Sequence, residues 1–157
     1  MDSEGFKPAF MIAVGIPGEE ADQCGGVFWD DRDPRHAGRP GGISAYIFRK
    51  AGPCNVDSGD LKVERTGNTF RLVVDGEPVS LAVVTYYHER HAHVYVETFE
   101  PFRRGGYATK LLGWASDWLT ASGYVHESGC SVDNRASLRL HLKLGFEVDG
   151  HIRWSEA

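Results

Sequence analysis

Apolar and polar residues are patterned most clearly from position 61 onward. Segments 61–64, 69–74, 79–87 and 93–98 are rich in β-branched and aromatic residues and read as strands. Thr66-Gly67-Asn68 and Asp75-Gly76-Glu77 supply turns between them. Connections this short favour antiparallel neighbours. The period then changes. Between 106 and 121, Ala108, Leu111, Leu112, Ala115, Trp118 and Leu119 fall on one face of an amphipathic helix, which Ser122-Gly123 ends. Segment 124–132 reads as another strand. A second helix is predicted over 135–144, stopped by Gly145, with a last strand or hairpin over 146–154. A strand, a long helix and a second strand make a right-handed crossover. The two strands it joins are therefore expected to be parallel neighbours in a sheet otherwise antiparallel. The predicted class is α/β with a central mixed sheet.

The first 60 residues carry weaker signals. Segment 15–60 is rich in Gly, Pro and Asp, with the run 30–42 as its extreme, and reads mainly as loops. Short apolar runs at 10–14 and 43–48 are candidate strands, and 19–23 a candidate helix start. There is no internal repeat and no low-complexity tract.

Length and charge narrow the picture. The chain's 157 residues suit one domain, and 41% hydrophobic content is enough for a core. A formal charge of -5 argues against non-specific nucleic-acid binding. No apolar run approaches the ~20 residues of a membrane span. The acidic start, Met-Asp-Ser-Glu-Gly, lacks the pattern of a secretion signal, so a cytoplasmic protein is expected. Cys24, Cys54 and Cys130 are odd in number and widely spaced, which fits reduced thiols better than a disulfide framework or zinc site. The acidic excess lies in residues 1–100, while 101–157 are slightly basic.

The segment with most chemistry in it runs Pro101-Phe102-Arg103-Arg104-Gly105-Gly106-Tyr107-Ala108-Thr109, between a strand and a helix start. Helix starts leave N–H groups unpaired and carry about half a positive charge. An anion belongs there. Gly105 and Gly106 let the backbone approach a phosphate, successive N–H groups can form a nest, and Arg103 and Arg104 add charged donors. By itself the segment also reads as an exposed glycine turn before an ordinary helix.

Further along come Asn134-Arg135-Ala136-Ser137 and Leu140-His141-Leu142-Lys143-Leu144-Gly145-Phe146. With these the chain resembles the GNAT superfamily of N-acetyltransferases over about residues 78–150. Arg103-x-x-Gly106-x-Ala108 is similar to that family's motif at the start of its long central helix. Asn134, Ser137 and Leu144-Gly145-Phe146 are similar to its second motif. The resemblance implies a mostly antiparallel mixed sheet with one splayed parallel strand pair and flanking helices. It implies acetyl-CoA as co-substrate and an amine of a small molecule or peptide as acceptor, with direct attack in a ternary complex. It implies that the N–H groups of Arg104, Gly105, Gly106, Tyr107, Ala108 and Thr109 hold the CoA pyrophosphate. Val96 and Thr98 would offer backbone bonds to the pantetheine arm, as in strand addition. Asn134 and Ser137 would line the opposite side of the gap. The whole chain would be one domain, with 61–157 holding the acetyl-CoA site and 1–60 the acceptor side; a homodimer stays open.

The chain departs from the family pattern at His141, where many members carry a Tyr that protonates the departing thiolate. Histidine can serve as that acid near neutral pH, or can simply pack on the helix. Glu97 is a candidate general base within strand reach of the thioester, with His93 four residues back on the same strand face; a surface carboxylate is the plainer reading. His88, His91 and His93 lack partners for a metal site and read as solvated imidazoles at a hairpin turn. Trp114, Trp118 and Cys130 read as core residues. Two rival functions remain: a catalytically silent CoA-binding sensor on the same fold, and a nucleotide-binding module. The second lacks the Gly-x-x-x-x-Gly-Lys-Ser/Thr pattern. The acidic excess suits a cationic acceptor.

Overall fold

The structure, a computed structural model, describes residues 26–50, 52–54, 61–87 and 90–156. The expected elements at 10–14 and 19–23, together with Cys24 and His88, lie outside these. Eight strands appear among the described residues: β1 (Gly26–Asp30), β2 (Gly42–Lys50), β3 (Val63–Thr66), β4 (Thr69–Val74), β5 (Glu77–Tyr87), β6 (His91–Thr98), β7 (Val125–Ser131) and β8 (Glu147–Glu156). Two α-helices, α1 (Tyr107–Ala121) and α2 (Arg135–Lys143), flank β7 in sequence. One sheet runs in the order β1-β8-β2-β7-β6-β5-β4-β3. Every neighbouring pair is antiparallel except β6 and β7, which are parallel, as the crossover predicted.

The meander β3 to β6 follows its turn residues. Asp75 and Gly76 both take positive φ, 51° and 79°, closing β4 and β5 at Val74 and Glu77. Two left-handed central residues match the twist of the flanking strands. Strand β3 sits two residues later than the 61–64 expected, because the tight turn at Gly67 pairs Thr66 directly with Thr69. Helix α1 buries Leu111, Leu112, Ala115 and Leu119 and packs against β5 and β6. Phe70 lies 5.2 Å from Trp114 and 5.1 Å from Trp118 by ring centroid, and both tryptophans pack half-buried against the core. Cys130 joins the same cluster. The helix ends at Gly123, φ 85°, with the Tyr124 N–H returning to the Leu119 carbonyl. Asn134 opens α2 by accepting the Ser137 N–H at 3.1 Å.

Two features depart from the sequence reading. Strand β1 lies inside the Gly/Pro/Asp-rich stretch expected to be loop. The tail is a strand, one of the two forms expected, but its place between β1 and β2 was not foreseen. Arg32 holds this edge together: its guanidinium reaches Asp30 at 2.9 Å, Glu127 on β7 at 3.0 Å and Asp149 on β8 at 2.9 Å. Gly150 permits this, since a Cβ there would collide with the Arg32 side chain. Its backbone φ is ordinary; the requirement is space.

Candidate functional site

The parallel pair lasts only two rungs, His91 with Val125 and Ala92 with His126. Beyond them β6 and β7 part company and leave a fork in the sheet. The Phe99 N–H bonds to the Val79 carbonyl. Alternation along an antiparallel ladder then turns the polar groups of Glu97 and Tyr95 toward β5, and those of Val94, Val96 and Thr98 toward the open fork. On the other side, the Val132 N–H bonds to the Ser44 carbonyl. By the same alternation the main chains of Glu127 and Gly129 face the fork. The fork thus offers backbone donors and acceptors from both edges, which a polar linear ligand can take up as an added strand.

A cleft of about 500 Å³ fills the fork, bordered by His93, Val96, Ser128, Asn134, Ser137, Leu140 and His141. A second cavity of about 530 Å³ adjoins it, sharing Val96 and Leu140, and reaches Thr98, Arg103, Arg104, Gly106, Tyr107 and Ala108. Together the two neighbouring cavities reach from the fork to the start of α1.

That helix start is uncapped by any side chain, and Gly106 precedes it with φ 77°. The Arg103 N–H bonds back to Glu100 and the Lys110 N–H to Gly106. Among the described residues, the N–H groups of 104–109 have no hydrogen-bond partner. A Cβ on Gly106 would meet nothing within 4 Å, so space lies open above the loop. Arg104 holds a left-handed φ of 71°, a strained conformation for an arginine. The Arg103 Nε donates to the Thr98 carbonyl at 3.2 Å. Bare N–H groups, a helix dipole, open space and two arginines fit a phosphate group.

His141 is buried where the fork meets α2. Its Nδ1–H donates to the Ser137 carbonyl at 2.7 Å, which fixes the tautomer, since a carbonyl only accepts. Nε2 is then the bare nitrogen and receives the Ser128 hydroxyl at 2.9 Å. The ring stacks on Phe48, centroids 4.5 Å apart, and meets Phe146 edge-on at 5.1 Å. Burial lowers its pKa, against the Ser137 carbonyl, which raises it.

The remaining expected residues fall as follows. Asn134 and Ser137 border the fork. Glu97 is exposed, 3.5 Å from the Tyr95 hydroxyl, and borders the helix-start cavity rather than the cleft that holds His141. His91 and His93 belong to β6 itself, not to a turn, and His93 is buried rather than solvated. Ser128 was not marked by the sequence reading; nothing in the strand pattern distinguishes it until α2 places His141 above it. Cys54 and Cys130 are free thiols. Among the described residues there is no group of three His, Cys, Asp or Glu side chains arranged for a metal. No described helix is long and apolar enough to cross a membrane.

The sheet thus combines one forked parallel strand pair with an uncapped, glycine-rich helix start. Residues 45–146 match the Acetyltransferase (GNAT) family. The chain belongs to that family. Solved structures share the fold. An acetyltransferase from the GNAT family of Colwellia psychrerythraea superposes with a TM-score of 0.68 at 11% identity, over 82% of this chain and 63% of its own. A GCN5-related N-acetyltransferase from Kribbella flavida gives 0.60 at 13%, over 82% and 66%. One from Sphaerobacter thermophilus gives 0.59 at 11%, over 92% and 62%. The chain thus spans less than two thirds of the length of each. No curated protein matches the sequence.

Proposed function

We propose that the protein transfers an acetyl group from acetyl-CoA to an amine by direct attack in a ternary complex. The observation that carries this reading is the pair of neighbouring cavities that run from the forked strands to the unpaired N–H groups at the start of α1. The N–H groups of residues 104–109, with Arg103 and Arg104, hold the pyrophosphate. Val96 and Thr98 offer main-chain bonds to the pantetheine arm, and Asn134 and Ser137 close the opposite side. Acetyl-CoA supplies an activated acyl group; the protein supplies alignment, which can lower a barrier by several kcal/mol. In the transfer the amine nitrogen bonds to the carbonyl carbon, the C–S bond breaks, and one proton passes from nitrogen toward sulfur. His141 is the candidate to return a proton to the thiolate, which it can do once its bare Nε2 has itself taken up a proton. Glu97, exposed at the helix-start cavity, is the weaker candidate for the base. The acidic excess of residues 1–100 suits a cationic acceptor.

Calorimetric titration with CoA, beside an acetyl-CoA turnover assay on a panel of primary amines, tests this reading. Gly106→Val should weaken CoA binding at least tenfold, because the branched side chain invades the open space over the loop and strains a left-handed φ. Unchanged affinity would remove the assignment of the loop. Tight CoA binding with no amine turned over would leave a sensor, not an enzyme.

A further inference from the structure

We propose that Ser128 and His141 act as nucleophile and base, and that the pair takes the acetyl group from acetyl-CoA and hydrolyses it when no amine is bound. This rests on the acetyl-CoA reading above and adds to it a reaction of the chain's own serine.

The pair has the geometry of an activated hydroxyl. The Ser137 carbonyl takes the Nδ1–H of His141 at 2.7 Å, so the bare Nε2 is the atom that meets Ser128. A bare nitrogen only accepts, which makes the Ser128 Oγ–H the donor, at 2.9 Å. The ring is held in that pose. Phe48 stacks on it, centroids 4.5 Å apart, and Phe146 meets it edge-on at 5.1 Å. A hydroxyl aimed at a base that a third group orients is the arrangement that makes an alcohol nucleophilic. Burial lowers the pKa of His141 and keeps its ring neutral near pH 7, the form that accepts the serine proton. An amine acceptor brings its own nucleophile, so direct transfer leaves this polarised serine without a task.

Ser128 also stands where a thioester would arrive. It follows shortly after His126, the last residue of β7 in the parallel ladder. Its side chain shares a strand face with Cys130. Both border the cleft, together with Val94 across the fork, Leu112 of α1 and His141 of α2. The wall of the cleft on the helix side is thus built around this hydroxyl. The next N–H in the chain, that of Gly129, faces the open fork. It is a main-chain donor beside the nucleophile, suited to the oxyanion that forms when Oγ attacks a carbonyl.

In the first step Oγ bonds to the carbonyl carbon and the C–S bond breaks with its electron pair on sulfur. The serine proton passes through Nε2 to the thiolate, leaving acetyl-serine and CoA thiol. In the second, a water oxygen bonds to the same carbon and the C–Oγ bond breaks. The water proton passes through Nε2 back to Oγ, and acetic acid departs. CoA still in the fork after the first step screens the ester from water, so the acetylated protein accumulates.

Purified protein mixed with acetyl-CoA alone, quenched in acid and digested, tests this. The peptide that holds Ser128 should gain one acetyl group, removable by hydroxylamine as an ester is, while CoA thiol appears in solution. Ser128→Ala should carry no acetyl group on that peptide and release CoA thiol roughly 10²-fold more slowly or worse, while calorimetry shows CoA bound as in wild type. His141→Gln leaves the serine without a base and should slow its acetylation by roughly 10²–10⁴-fold. An unmodified Ser128 in the wild type, CoA release that Ser128→Ala leaves unchanged, or acetylation that His141→Gln does not slow would each overturn the proposal. Should the alanine variant not fold, the wild-type peptide and the glutamine variant decide. A wild type that binds no CoA sinks the proposed function and this inference together; one that acetylates an amine yet never carries acetyl on Ser128 sinks this inference alone.

Discussion

His141 and His93 show what a residue type can and cannot disclose. The position of His141, one turn after Ser137 and just before Leu144-Gly145-Phe146, made it a candidate from the sequence. Its tautomer was not legible there, because the Ser137 carbonyl and Ser128 hydroxyl reach it only once α2 lies against β7. His93 was noted only as sharing a strand face with Glu97 and as a solvated imidazole, since a strand pattern does not show where a ladder ends or that the ring is buried. For His141 the expected outcome is specific. A depressed pKa means that a proton, once on Nε2, leaves readily. His141→Ala should lower kcat by roughly 10²–10⁴-fold at saturating acetyl-CoA while CoA affinity stays near wild type. His141→Tyr should recover part of the loss, since a phenol can donate in its place. If the alanine variant keeps most of its kcat, the ring only fills the space beside Phe48. Its thermal midpoint will then have fallen without a kinetic effect.

Among the elements, those with strong local pattern were legible and those defined by distant pairing were not. The crossover predicted the parallel pair β6 and β7, and amphipathic spacing predicted α1 within a residue. That the pair stops after two rungs is not written in the strands' own alternation. Strand β1 was hidden because its five residues border a run of turn formers, and its stability comes from pairing with β8, over a hundred residues away. Arg32 is the main fastening of that edge. The Asp30 and Glu127 side chains it meets are 7% and 2% exposed. Arg32→Ala strands two buried carboxylates, a change that typically costs about 3–5 kcal/mol. Urea unfolding should show that loss, and hydrogen exchange should show β1 and β8 opening first. A loss under about 1 kcal/mol would mean that water replaces the guanidinium without strain.

Over the whole molecule, three buried histidines, His93, His126 and His141, tie the fold to pH. All have lowered pKa values, chiefly because burial disfavours the charged ring. An unfolded chain takes up protons on these groups as pH falls through about 6.5, while the folded protein does not. Stability is therefore full above about pH 6.5 and declines steadily below it, as the unfolded state binds the excess protons. For His93, whose folded pKa is about 4, the loss by pH 4 is on the order of 3 kcal/mol at ~1.4 kcal/mol per unit. His126 is the sharpest case. It is wholly buried, neither ring nitrogen has a partner among the described residues, and the Phe146 ring meets it edge-on at 4.9 Å. Lys50 opposite it on β2 adds an unfavourable charge, though its ammonium is held by the Gly52 and Pro53 carbonyls. His126→Phe removes two unpaired nitrogens and keeps a ring in place. It should stabilise the protein by about 1–2 kcal/mol at neutral pH and by more at pH 5, where the wild type has begun to lose stability and the variant lacks one of the groups responsible. Chemical denaturation at pH 5, 6 and 7.5 reads both effects. An equal change at all three pH values would show that His126 contributes nothing to acid sensitivity, and a destabilised variant at pH 7.5 would show that the pocket holds an imidazole better than a phenyl ring.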